Sequence, residues 1–229
     1  MNHKRIPDRY MYFAVFMVGM TTLGVELSAV RLLGNIFGTS NIVFASIIGL
    51  ILLYLAAGYF IGGRWADRSP RQITFFQIMA WGAFSIGLIP AMSRPVLLWA
   101  AQAVVDLNGP VAAGAFVGTM ILFAVPVTLL GCLSPFAIRL MVSDTAKSGD
   151  VSGRVYGTST VGSLLGSFMP VLILIPVLGT RMTYILFSVV LTLVAMAGLT
   201  QVNRRRAILH VWMLAVLLIL GTWAARGNV

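Results

Sequence analysis

The amino-acid sequence predicts an all-α, polytopic membrane helix bundle of about seven transmembrane helices, forming a single transmembrane domain over residues 1–229. Three observations carry that prediction. Charged residues are too few to clothe a surface in water, apolar runs of helical length follow one another along the chain, and the basic residues gather in the short segments between them. Of 229 residues 59% are hydrophobic and 10% charged, and the mean hydropathy is +0.95. A soluble domain carries about 25% charged residues because its surface faces water. At roughly 20 apolar residues per span, the length allows at most about eight helices with short connections.

The first apolar run predicts a helix near 10–33. It is longer than the apolar core of a leader and lacks a small-residue cleavage site, so no cleavable signal peptide is expected. Further helices are expected near 41–63, 73–92, 111–133, 153–177, 181–202 and 208–225, each long enough to satisfy its backbone inside hydrocarbon. The stretch 95–107 contains Gln102 and Asp106 and is too short to span. It is expected to lie interfacially or re-enter, with Trp99 near the headgroups. Pro126, Pro135, Pro170 and Pro176 fall in or near two of these helices, where each removes a backbone donor and favours a kink.

The net charge of +10 comes from 16 Lys and Arg against 6 Asp and Glu. Because the basic residues sit between apolar runs, they predict cytoplasmic loops and no nucleic-acid partner. With the N-terminus inside, Lys4, Arg5, Arg9, Arg64, Arg68, Arg71, Arg139, Lys147, Arg154, Arg204, Arg205 and Arg206 fall on the cytoplasmic side. Arg94, Arg181 and Arg226 fall outside, with Arg31 towards the outer end of the first helix. That asymmetry predicts a cytoplasmic N-terminus and a periplasmic or extracellular C-terminus, and argues against counting 95–107 as a span. The single Cys132 rules out an internal disulfide, and His3 and His210 are too far apart in sequence to suggest a metal site.

Small residues recur at helix-packing spacing in Gly58-x-x-x-Gly62, Gly114-x-x-x-Gly118 and Gly162-x-x-x-Gly166. Such spacing lets backbones approach closely, within the bundle or between copies in a homo-oligomer. An internal similarity links the two halves. Ala29-Val-Arg31-Leu-Leu33 precedes Phe37-Gly-Thr-Ser40, and Ala137-Ile-Arg139-Leu-Met141 precedes Tyr156-Gly-Thr-Ser159. Three helices separate the copies, so they have opposite orientation. This predicts a 3+3 inverted repeat with one added helix.

Gly63-Arg-Trp-Ala-Asp67-Arg68 follows the second helix on the side assigned to the cytoplasm. It resembles the G-x-x-x-D-R loop of major-facilitator transporters, where a glycine ends the helix and charged residues pair across helix ends. A plain positive-inside loop reads the same residues without that latch. Further segments occur in a fixed order: Glu26-Leu-Ser-Ala-Val-Arg31, Phe37-Gly-Thr-Ser40, Ala57 to Arg68, Leu133-Ser-Pro-Phe-Ala-Ile-Arg139, Gly153 to Gly166, and Ile175-Pro-Val-Leu-Gly-Thr-Arg181. Together, over roughly 15–200, they resemble the membrane part of bacterial spermidine-synthase-like membrane proteins, the fused major-facilitator/spermidine synthase type. The resemblance implies a bacterial cytoplasmic (inner) membrane location and a link to polyamines. Members of that family typically carry a soluble aminopropyltransferase-like domain after the helices. Here the chain reaches Val229 directly after the last predicted helix, with no Gly-rich strand–turn–helix for decarboxylated S-adenosylmethionine. No catalytic residue, metal or cofactor is therefore expected in this chain, and any such chemistry is expected in a separate soluble aminopropyltransferase-like subunit.

Glu26 is the acidic residue expected inside a span. An ionised carboxylate there costs about 2.5–3.5 kcal/mol, so it needs a partner, a cavity or a proton. Two readings stand: a Glu26–arginine pair that locks helices together, or a cation or proton site. Arg31, five residues on, is the nearest partner in sequence but poorly aligned for one. Arg139, at the end of the fourth helix, sits where a cation favours a helix C-terminus. Tyr54, Tyr59, Trp81, Gln102 and Thr128 could equally line a path or simply pack. The function expected is that of a membrane partner or small permease for a polar molecule, a polyamine-like cation included. The alternative is a non-transporting scaffold anchoring a separately encoded enzyme or larger complex.

Overall fold

The computed structural model describes residues 6–226. Among the described residues there are no strands. The elements are α1 (Asp8–Phe37), α2 (Asn41–Arg68), α3 (Gln72–Asp106), α4 (Val111–Met141), a 3-10 turn (Thr145–Lys147), α5 (Ser148–Met169), a π-helical segment (Pro170–Leu174), α6 (Ile175–Val202), α7 (Arg204–Ile208) and α8 (Val211–Arg226). Six helices are long and apolar enough to cross a membrane, Ser148–Val202 counting as one of 55 residues. The fold is that of a multi-pass membrane protein. Lys4, Arg5 and His3 lie outside the described residues, as does the side chain of Arg226.

The stretch 148–202 departs from helical geometry at Gly179, with φ 80° and ψ 162°. Just before it, Pro170 lacks the N–H that would bond the carbonyl of Gly166, and the helix widens, with the Ile175 N–H reaching back five residues to the Pro170 carbonyl. Direction reverses across this region. α5 runs parallel to α1: Gly162 abuts Phe16, Gly166 abuts Met20, and the Ser163 hydroxyl donates to the Gly19 carbonyl at 3.1 Å. α6 runs antiparallel to α1, for the Tyr184 hydroxyl donates to the Val25 carbonyl at 3.5 Å and the Tyr10 hydroxyl to the Val194 carbonyl at 2.6 Å.

α3 corrects one expectation. No break separates 73–92 from 95–107; a single helix of 35 residues passes through Pro90 and Pro95. The Ser93 hydroxyl donates to the Pro90 carbonyl at 3.0 Å, and Leu97 and Ala100 are buried at the far end, Leu97 against Gly118 of α4. Packing thus holds the turn that Pro95 would otherwise free. At 1.5 Å per residue the helix is about 50 Å long, against a hydrocarbon core of about 30 Å, so its end reaches past the core or tilts.

Partner choice is not sequential. α1 packs chiefly on α5 and α2 chiefly on α4, while α3 lies between α4 and α6. α2 and α4 are parallel, with Gly58 against Thr128 and Gly131, and Gly62 against Cys132. α2 buries one stripe, Val43, Ile47, Leu50, Leu55, Gly58 and Gly62, and exposes Phe44, Leu52, Leu53 and Phe60 on the other side. α5 buries Val155, Gly162 and Gly166 and exposes Leu164, Leu165 and Phe168. Apolar faces of that size suit lipid. α1 and α3 are the most buried helices and form the centre of the bundle.

Candidate functional site

Glu26 lies on α1 and is 7% exposed. It follows Gly24, which is covered by the ring of Phe187, and Val25, whose carbonyl accepts the Tyr184 hydroxyl. Among the described residues its carboxylate forms no ion pair or hydrogen bond. Tyr59 of α2 lies within electrostatic reach of both Glu26 and Tyr156 of α5. The Tyr59 and Tyr156 side chains are themselves exposed, whereas Glu26 is buried.

Glu26 and Arg31 are not brought together. Five residues turn the helix by about 140° past a full circle, so the two side chains leave on different faces. Arg31 is exposed and lines a separate cavity of about 490 Å³ with Leu27, Gly34, Asn35 and Ile175.

Asp67 and Arg139, read separately in the sequence, do meet: Arg139 Nε donates to Asp67 Oδ1 at 3.0 Å. The expected loop around Gly63, Asp67 and Arg68 needs correction, because α2 does not end at Gly63 but runs to Arg68. Ala66 is buried and Trp65 meets Phe136 edge-on at 6.4 Å, so packing on α4 carries the helix past the glycine. Asp67 then lies in the last turn of α2, where the helix dipole disfavours a carboxylate, and Arg139 and Arg68 offset that field. Both partners are open to solvent, 48% and 72% exposed, so the pair is weak in isolation. Asp67→Asn is expected to cost at most about 1 kcal/mol, a melting shift of no more than about 2–4 °C in detergent. A drop several times larger would mean that the contact organises the whole helix end.

The path-lining residues suggested by the sequence disperse. Tyr54 is half-buried on α2, Trp81 packs on Trp212 at 6.1 Å, Gln102 is exposed near the end of α3, and Thr128 presents its carbonyl to Gly58. Sequence reasoning passed over another group. Arg94 of α3 and Arg181 of α6 line a cavity of about 510 Å³ with Asn35, Ser93 and Thr180. The available signal was that both break the rule placing basic residues at the opposite end.

Compared with known proteins, the chain matches no family model, no curated protein and no solved structure. The fold defines its class as a helical, multi-pass membrane protein.

Proposed function

We propose that this chain is the membrane part of a spermidine-synthase-like system and acts as a small permease for a polar, cationic, polyamine-like molecule. The observation that carries the proposal is Glu26, a carboxylate within the apolar part of α1 with no cationic partner among the described residues. A polycation supplies the charge that such a group needs, and Tyr59 on α2 lies within electrostatic reach of it.

Packing supports two inverted halves, α1–α3 and α4–α6. Exchanging α1 with α4, α2 with α5 and α3 with α6 turns the α1–α5 contact into the α4–α2 contact, both parallel, and leaves α3–α6 as its own counterpart. The reversal at Gly179 supports two crossings within 148–202, hence seven with α7 and α8 joined as the added span. The excess of arginine at the end bearing Asp67 supports a cytoplasmic N-terminus, and the family resemblance a bacterial inner membrane. We infer also that a separate soluble aminopropyltransferase-like subunit would dock at that end.

Proteoliposomes loaded through the purified protein and supplied with labelled spermidine test this. Wild type is expected to give saturable uptake, and Glu26→Gln to lower the initial rate by about tenfold or more, the loss that follows when one charge-assisted contact goes. Absence of saturable uptake in both proteins rejects the permease. The scaffold reading is favoured by the tight glycine contacts of α1–α5 and α2–α4, which suit a rigid bundle. It requires a stable partner on affinity purification; a lone monomer in gentle detergent counts against it.

A further inference from the structure

Three arginines, Arg31, Arg94 and Arg181, come from α1, α3 and α6 to the end of the bundle opposite the Asp67–Arg139 pair. Arg94 and Arg181 share one cavity and Arg31 lines the next; Asn35 lines both. Among the described residues none of the three pairs with a carboxylate. Arg181 is held at 5.6 Å over the ring of Trp223, which fixes the guanidinium without neutralising it. The helix also restarts after Gly179, so Thr180 and Arg181 bring the positive end of the α6 dipole to the cavity wall. Positive charge thus converges from two guanidiniums and a helix start, with no anion from the described chain to answer it.

We propose that this cavity binds the phosphate of an anionic phospholipid. Guanidinium forks match phosphate oxygens in pairs, and Asn35 adds an amide donor. Apolar residues beside the arginines, Leu98 and Ile36, are 53% and 40% exposed and offer a surface for the acyl chains. A zwitterionic headgroup fits less well, because its ammonium would face uncompensated arginines at close range. The proposal does not depend on what the bundle transports or anchors.

Native mass spectrometry of the intact protein in an equimolar mixture of phosphatidylglycerol and phosphatidylethanolamine tests it. Wild type is expected to retain phosphatidylglycerol preferentially, and each of Arg94→Gln and Arg181→Gln to weaken that retention by about tenfold, the factor for losing one charge-assisted contact. Arg206→Gln, at the other end, is expected to leave it unchanged, and Arg94→Lys to restore it in part. Millimolar glycerol phosphate distinguishes a free ligand from a lipid. Retention that persists supports the lipid, and complete displacement overturns it. Equal retention of the two lipids by wild type also overturns the proposal, whatever the variants do.

Discussion

Replacing Gly162 or Gly166 with valine is expected to unseat α5 from α1. A Cβ built at Gly162 would fall on the Phe16 carbonyl oxygen, and one at Gly166 on the Met20 carbonyl oxygen. Each obstacle is helix backbone, which cannot turn aside as a side-chain tip can. Overpacking costs about 1–3 kcal/mol where side chains can shift, and a backbone clash belongs at or above the upper end. Loss of about 3 kcal/mol per site corresponds to a fall of roughly 6–12 °C in melting temperature for a chain of this size. The same helix carries its own control. Gly153 and Gly157 face open space, so alanine there is expected to be neutral or to stabilise by up to about 1 kcal/mol through helix propensity. Thermal melts of the four variants in one detergent decide the matter. Equal behaviour of all four would mean that α5 does not dock on α1 through this face.

Gly179→Ala is expected to damage the second half through backbone strain, where the glycines of α5 act through packing. Its φ of 80° with ψ of 162° belongs to a region that only glycine occupies readily. The strain is about 1–3 kcal/mol, and it pushes the chain towards a straight helix. A straight 148–202 would measure about 80 Å, far beyond a core of about 30 Å, and would withdraw α6 from α1 and α3. The expected readout is a melting temperature lower by roughly 3–10 °C, with new protease cleavage near the reversal. Gly34→Ala, at an ordinary helical glycine whose nearest neighbour is the Thr39 methyl, is the comparison. Should the two variants melt alike, the left-handed geometry at Gly179 does not constrain the fold.

In α2 and α4 the apolar run and the helix begin together but end apart, for a physical reason. α2 and α4 begin at Asn41 and Val111, where the apolar runs begin, and the Ser40 hydroxyl caps α2 by accepting the Val43 N–H. Their ends lie further on, at Arg68 and Met141, because a helix continues into the charged zone when its neighbour follows it, as α4 follows α2 to Asp67. The stretch 95–107 is set apart from 73–92 in the sequence, although packing of Leu97 and Ala100 carries α3 through Pro95 without a break. Small-residue spacing marked packing faces but not their partners. Gly58 meets Gly131, whereas Gly114 and Gly118 receive the side chains of Phe37 and Leu97. Asp67 and Arg139 were legible singly but not as a pair, and Arg94 and Arg181 converge only once α3 and α6 lie antiparallel. Such contacts between distant segments leave no periodicity along the chain.

The cross-pairing of α1 with α5 has a consequence for synthesis. Ser163 and Gly19 are 144 residues apart in sequence. At roughly 5–20 residues per second, about 7–30 s separate their emergence from the ribosome. During that interval the glycine face of α1 has no partner from its own chain, and α2 waits in the same way for α4. The nascent helices must be sheltered by lipid or by the insertion machinery until the second half arrives. Slowed elongation within that window would leave the early helices exposed to membrane proteases, independently of how stable the finished bundle is.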